Sequence, residues 1–139
     1  MTTAVSPHIN EFLSQTLVGV ISTIDTQGRP RSAPIWYQWE DGAAYFFTGR
    51  GTLKWRNLLR DPHTSLCVDW REPPYKSVIV DGTIEEVDRP LYDLVLSMAT
   101  RYYGEEEGRH FAEGYREDNP GVVIFRLIPT SVADYTSTD

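Results

Sequence analysis

Two hydrophobic periods alternate along the chain, and they divide it into elements. "LVGVISTI" (17–24) is a run of β-branched residues and reads as a buried strand. "DTQGRP" (25–30) is a turn in which Gly28 takes a positive φ, and "RSAPIWYQW" (31–39) is the next strand. Pro34 has no amide to give a ladder, so that strand needs an edge position or a bulge. "EDG" (40–42) is a hairpin turn and "AAYFFT" (43–48) a third strand. Tight turns between consecutive strands predict an antiparallel sheet.

After Gly49 the period lengthens. Trp55, Leu58 and Leu59 fall at i, i+3 and i+4, which predicts a short amphipathic helix over 52–60. Thr52 is its expected N-cap and Pro62 ends it. "HTSLCVDW" (63–70) and "KSVIVDGTIEEV" (76–87) return to strand character, the second with a bend or bulge at Gly82. Asp88 is placed to cap a helix over about 89–103, with Leu91, Leu94, Val95, Met98 and Tyr102 inward. A more acidic helical piece follows over 105–117, and "GVVIFRLIPTSVADY" (121–135) is the last strand. At the front, Ser6-Pro7 opens a short helix over 7–15 that presents Ile9, Phe12 and Leu13. Six strands and few helices predict a mainly β fold, a small barrel that closes its own edges.

Composition narrows the class. The chain has 139 residues, 40% of them apolar, enough for one domain spanning 1–139. No apolar run is long enough for a transmembrane helix, and "MTTAVSPHIN" has no secretory pattern. One cysteine, Cys67, forms no internal disulfide, so a cytoplasmic protein is expected. Thirteen basic and twenty acidic residues leave a net charge of −7, which argues against general nucleic-acid binding. No membrane partner is expected. His8, His63 and His110 have no metal-ligand spacing with one another or with Cys67, so no metal is expected. Cys67, mid-strand, reads as a small buried hydrophobe.

Against that acidic background, residues 42–60 hold no acidic residue, yet include Arg50, Lys54, Arg56 and Arg60. A strand ending in Thr48-Gly49-Arg50-Gly51 followed by a capped helix gathers free amides at a partly positive helix end. Hydroxyls of Thr48 and Thr52 and the Lys54 ammonium stand nearby in sequence, the donor set that a phosphate requires. The same pattern also fits an exposed loop before an ordinary solvated helix.

The stretch from Gly19 to Val68 resembles the pyridoxamine 5'-phosphate oxidase-like family of flavin-binding split barrels. The likeness rests on "STIDTQGRPRSAPIWY", the strand end "FFT" and "KWRNLLRDP", with "VDGTIEEVD" and "FRLIPTSV" in matching order. It implies a six-stranded antiparallel split β-barrel of Greek-key type that assembles as a homodimer, with a cofactor in the groove between subunits. By that likeness the strand Ser32, Ala33, Pro34, Ile35, Trp36 and Tyr37 lies along the flavin ring. Thr48, with Gly49 and Arg50 beside it, contacts the cofactor, and Thr52 and Lys54 cradle its phosphate. The partner's strand, matching Tyr75, Lys76 and Ser77, supplies the facing wall. True oxidases of the family carry Arg-Lys where this chain has Leu53-Lys54, and continue into a basic tail past the last strand. Pyridoxamine phosphate is therefore not the expected substrate. The "K-x-x-N-L-x-R-D-P" pattern is closest in look to the branch that uses the deazaflavin F420.

F420 is the preferred cofactor and FMN the alternative, because Arg50, Arg56 and Arg60 exceed what one phosphate needs and suit a longer anionic tail. Hydride transfer belongs to the cofactor ring, so no catalytic residue is assigned. The expected function is an oxidoreductase acting on a small conjugated molecule; the alternative is a carrier or sensor that binds the same cofactor without turnover. A haem-handling relative is a third reading. Trp36, Tyr37 and Tyr75 are candidates to line the ring face, Tyr37 also to give a proton. Trp39 and Trp70 read as packing. Residues 104–118 read as a solvated acidic face or a lid.

Overall fold

The computed structural model describes residues 4–116 and 119–137. Helix α1 (Pro7–Leu13) leads into β1 (Gly19–Ile24), β2 (Pro30–Ile35), β3 (Gln38–Glu40) and β4 (Ala43–Gly49). Helix α2 (Leu53–Arg60), β5 (His63–Trp70), β6 (Lys76–Val87), α3 (Leu91–Tyr103) and α4 (Glu105–Ala112) follow. A 3-10 turn, Glu113–Tyr115, then precedes β7 (Val122–Tyr135). All pairings are antiparallel, in the order β2-β1-β5-β6-β7-β4-β3. This is the curled sheet of a split barrel, mainly β, as expected.

The seventh strand arises from the run read as one strand over 31–39. It breaks at Trp36-Tyr37, so that β2 pairs with β1 at one end of the sheet and β3 with β4 at the other. Two residues thus carry the chain across the split and hold the two ends together. The Tyr37 amide leaves the ladder and donates to the Tyr102 hydroxyl at 3.3 Å. Pro34 is tolerated because β2 is an edge strand. The register of β6 against β7 slips between Asp81 and Gly82, the bulge anticipated at Gly82. A Cβ there would stand 2.1 Å from the Ile128 carbonyl oxygen, so only glycine lets the strands approach.

Turn chemistry matches the pattern. Asp41 and Gly42 take φ of 50° and 75° in the β3–β4 hairpin, and Gly28 takes 76°. The barrel interior is filled by alternating residues, among them Ile21, Phe46, Leu66, Val68, Val80, Phe125 and Leu127. Ile9, Phe12 and Leu13 of α1 join this core. Helix α3 packs outside the sheet, with Leu94 and Met98 against Ile124 and beside Trp36, Phe47 and Leu91. Each such fully buried side chain is worth about 1.5–3 kcal/mol relative to exposure.

Several local expectations are corrected. Asp88 does not cap α3; the cap position is Pro90, with no side-chain hydrogen bond. Ser6 makes no cap bond either, its hydroxyl meeting the His8 ring at 3.2 Å. Leu59 is 55% exposed, so the inner stripe of α2 is Asn57 and Leu58, with Trp55 half-buried. Cys67 is only half-buried. The acidic helix ends at Ala112, and residue 117 of its expected span lies outside the described residues. Among the described residues no helix is long and apolar enough to cross a membrane, and no cluster of three His, Cys, Asp or Glu has metal-holding geometry.

Candidate functional site

Lys54 occupies the second position of α2, at the positive end of the helix dipole, with no acidic residue in the first turn. That is a poor place for a cation unless something negative joins it. Its side chain is half-buried, and burial pushes its pKa below the ordinary lysine value. Among the described residues it makes no hydrogen bond or ion pair. The first-turn amides of Leu53 and Lys54 have no carbonyl within the helix to take them.

A groove in two lobes runs past this ammonium. The first, about 240 Å³, is lined by Pro34, Ile35, Trp36, Phe47, Lys54 and Phe111. The second, about 150 Å³, is lined by Ile21, Thr23, Arg31, Ser32, Ala33, Leu53 and Lys54. One lobe is flat and aromatic, the other hydroxylic and cationic, and neither holds an Asp or Glu. Arg31 is exposed and, among the described residues, has no hydrogen-bond or ion-pair partner. The groove offers a slot for a planar ring beside a two-cation pocket for an anion. Two broader depressions, each about 760 Å³, lie elsewhere: one beside Asn10, Trp39 and Arg126, the other beside Arg50, Glu86 and Arg116. Their cations are paired: Arg126 and Arg50 meet Glu85 and Glu86, and Arg116 meets Glu113.

Of the strand expected along a ring, Ser32, Ala33, Pro34, Ile35 and Trp36 all line the groove. Tyr37 does not, which corrects its candidacy. Its side chain is fully buried, its hydroxyl donates to the Leu13 carbonyl at 2.8 Å, and burial raises its pKa far above the ordinary tyrosine value. A phenol so placed neither faces a ring nor gives up a proton there. Thr48 is buried with Ala44 and Phe46 on the inner face of β4, so the alternation turns Phe47 to the groove instead. The Thr52 hydroxyl accepts from the Trp55 amide at 3.2 Å and donates to the Gly49 carbonyl at 2.9 Å, which engages it as a helix cap. Gly49 and Arg50 line neither lobe. Arg50 reaches the Pro120 carbonyl at 2.6 Å and Glu86 at 3.1 Å, and Arg60 donates to the Ile24 carbonyl. Tyr75 precedes β6 and Lys76 and Ser77 open it; none of the three lines either lobe, and Tyr75 is 71% exposed.

Six lining residues were not among the candidates: Ile21, Thr23, Arg31, Phe47, Leu53 and Phe111. Arg31 adjoins Ser32 and was legible as a basic residue on the same strand. Phe47 follows from period-two alternation against Phe46 and Thr48. Phe111 arrives from α4 and had no local signal.

A family model for pyridoxamine 5'-phosphate oxidase matches residues 5–135. The chain belongs to the pyridoxamine 5'-phosphate oxidase family. Within the family it is 36% identical over 70 residues to a pyridoxine/pyridoxamine 5'-phosphate oxidase of Acidothermus cellulolyticus, covering 50% of this chain and 31% of that protein. The chain spans 31–40% of the length of the curated relatives it matches. Among solved structures it shares its fold with an F420 reductase, at TM-score 0.74 and 22% identity, over 93% of this chain and 98% of the other. A FAD-binding protein of Mesorhizobium loti superposes at TM-score 0.64 and 24% identity, over 95% and 93% of the two chains.

Proposed function

We propose that the groove at Lys54 binds a phosphate-bearing flavin or deazaflavin, F420 in preference to FMN, and that the protein is an oxidoreductase acting on a small conjugated molecule. The observation that carries this reading is Lys54 itself: a half-buried ammonium at a helix N-terminus, unpartnered among the described residues. Nothing else in the groove accounts for the cost of keeping that charge there. The donor chemistry fits the group. Lys54, Arg31 and the first-turn amides of α2 hold the anion, and Pro34, Ile35, Trp36 and Phe47 flank the ring. When bound, the ring supplies hydride exchange, while this chain orients it and excludes water.

F420 is preferred because the cationic surface continues beyond one phosphate. Beyond Lys54 and Arg31, Arg56 is exposed on α2 with no partner among the described residues. Arg50 and Arg60 are engaged within the chain and are not free for an anionic tail. The groove is open on one side, which suits a homodimer whose second copy supplies the facing wall. An exposed apolar rim supports it: Trp70, Tyr75 and Tyr135 lie where β5, β6 and β7 meet, by the pairings Trp70 with Lys76 and Ser77 with Tyr135.

Side-by-side fluorescence titration of the purified protein with F420 and FMN tests the reading. Saturable binding of both, tighter for F420, is expected. No saturation with either would end the proposal. Stopped-flow oxidation of the reduced complex by menadione, faster than that of free cofactor, separates enzyme from carrier.

A further inference from the structure

The aromatic lobe has an end wall, and it comes from a distant part of the same chain. The Phe111 ring lies 5.2 Å from Trp36, 5.6 Å from Tyr103 and 5.7 Å from Tyr115, and Tyr115 lies 5.5 Å from Phe47. These rings form an arch from the end of β2 to β4, across the lobe. The arch is held from behind. Gly108 packs so tightly on α3 that a Cβ would stand 2.5 Å from the Thr100 nitrogen and 2.6 Å from the Ala99 carbonyl carbon. The other foot is held as well. Trp36 stacks on Tyr102 at 4.8 Å and 2°, and the Tyr102 hydroxyl donates to the Leu17 carbonyl at 2.6 Å. Helix α4 is thus packed against α3 at its back and forms a wall of the lobe.

We propose that Phe111 is the specificity-determining residue of the groove, setting the largest flat, uncharged ring system that fits when its anionic group sits at Lys54. This rests on the reading of the groove given above. The Phe111 ring lines the same lobe as Lys54, and its side chain brings neither charge nor polar atom to that lobe. It selects by the size of the ring that enters the apolar lobe.

Calorimetric titration with phenyl, 2-naphthyl and 1-pyrenyl phosphate reads the wall without requiring any cofactor. The wild-type protein should bind the naphthyl ester more tightly than the pyrenyl ester. Phe111→Ala should improve pyrenyl phosphate by roughly tenfold and leave phenyl phosphate within about twofold, with Phe111→Leu between them. An unchanged ratio of pyrenyl to naphthyl affinity in variants that keep the wild-type circular dichroism overturns the proposal. So does a wild-type preference for the pyrenyl ester, or failure of both variants to fold, which would make Phe111 a core residue. Lys54→Ala separates the two readings: it should weaken all three esters alike. No change there removes the anchor while the ratio at Phe111 still judges the wall. Absence of any ester binding by the wild type removes both.

Discussion

Lys54 and Arg50 stand four residues apart in one basic run, yet the fold gives them opposite circumstances. Arg50 turns outward and is satisfied by the Pro120 carbonyl and Glu86. Lys54 turns into a groove with Arg31 and meets neither a carboxylate nor a carbonyl among the described residues. Both side chains carry the same charge at neutral pH. The difference teaches that a cluster of cations along a sequence is not a site. A site is the subset that the fold leaves unneutralised and partly desolvated, since those charges still have free energy to gain from an anion.

The largest effect that would break this contrast belongs to Lys54. Replacing it by Ala should weaken FMN by roughly 1.5–3 kcal/mol, about 10- to 150-fold, the range for a charge-assisted hydrogen bond. Unchanged affinity in an equilibrium titration would place the anion elsewhere.

A pH series sharpens the same point. Burial lowers the pKa of Lys54, so its neutral form appears at lower pH than for an exposed lysine. The anion needs the ammonium, so affinity should fall as pH rises through that lowered value. Titrations carried upward from neutral pH, above the second phosphate ionisation near 6, should show a several-fold fall that sets in below the pH at which an exposed lysine loses its proton, and Lys54→Ala should abolish it. A flat profile for the wild type would contradict the desolvated lysine.

The smallest effects compare the two arginines. Arg31→Ala should cost about 1 kcal/mol in FMN binding, because its side chain is exposed and screened. Arg50→Ala should leave binding unchanged and cost no more than about 1 kcal/mol of stability, since it loses one exposed ion pair and one exposed hydrogen bond to the Pro120 carbonyl. Equal losses at the two positions would erase the distinction between free and satisfied cations.

Much of the scaffold was legible because its signals are local. β-Branched runs, the Asp41-Gly42 hairpin, Gly28 and the bulge at Gly82 are set by neighbours in sequence, and all appear where the pattern puts them. The Thr52 cap of α2 was equally readable. The break at Trp36-Tyr37 was not. Residues 31–39 read as one continuous strand, and only the need to bridge two ends of a curled sheet divides them. Leu59 failed for a related reason: a period marks a face, but the number of neighbours on that face decides how wide the buried stripe is.

For the groove, the helix start at Lys54 could be named from local helix geometry, whereas the strand from Ser32 to Trp36 was named through the family likeness. Tyr37, Thr48, Thr52 and Arg50 could not be judged, because each had to choose between a ligand and a partner inside the chain. Their partners lie in α1, in the barrel core, in the same turn and on β6. Phe111 lies 75 positions from Trp36, by the difference 111 − 36, and meets it only through the packing of α4 on α3.

By itself, then, the sequence determined the antiparallel elements, the turns between them and the cationic helix start, all consequences of side-chain periodicity and backbone preference within a few residues. Only the tertiary structure decided which cations stay free, which aromatics face the groove and where its end wall stands. Those outcomes depend on contacts between segments far apart in the chain, where desolvation and packing, not local propensity, set the energy.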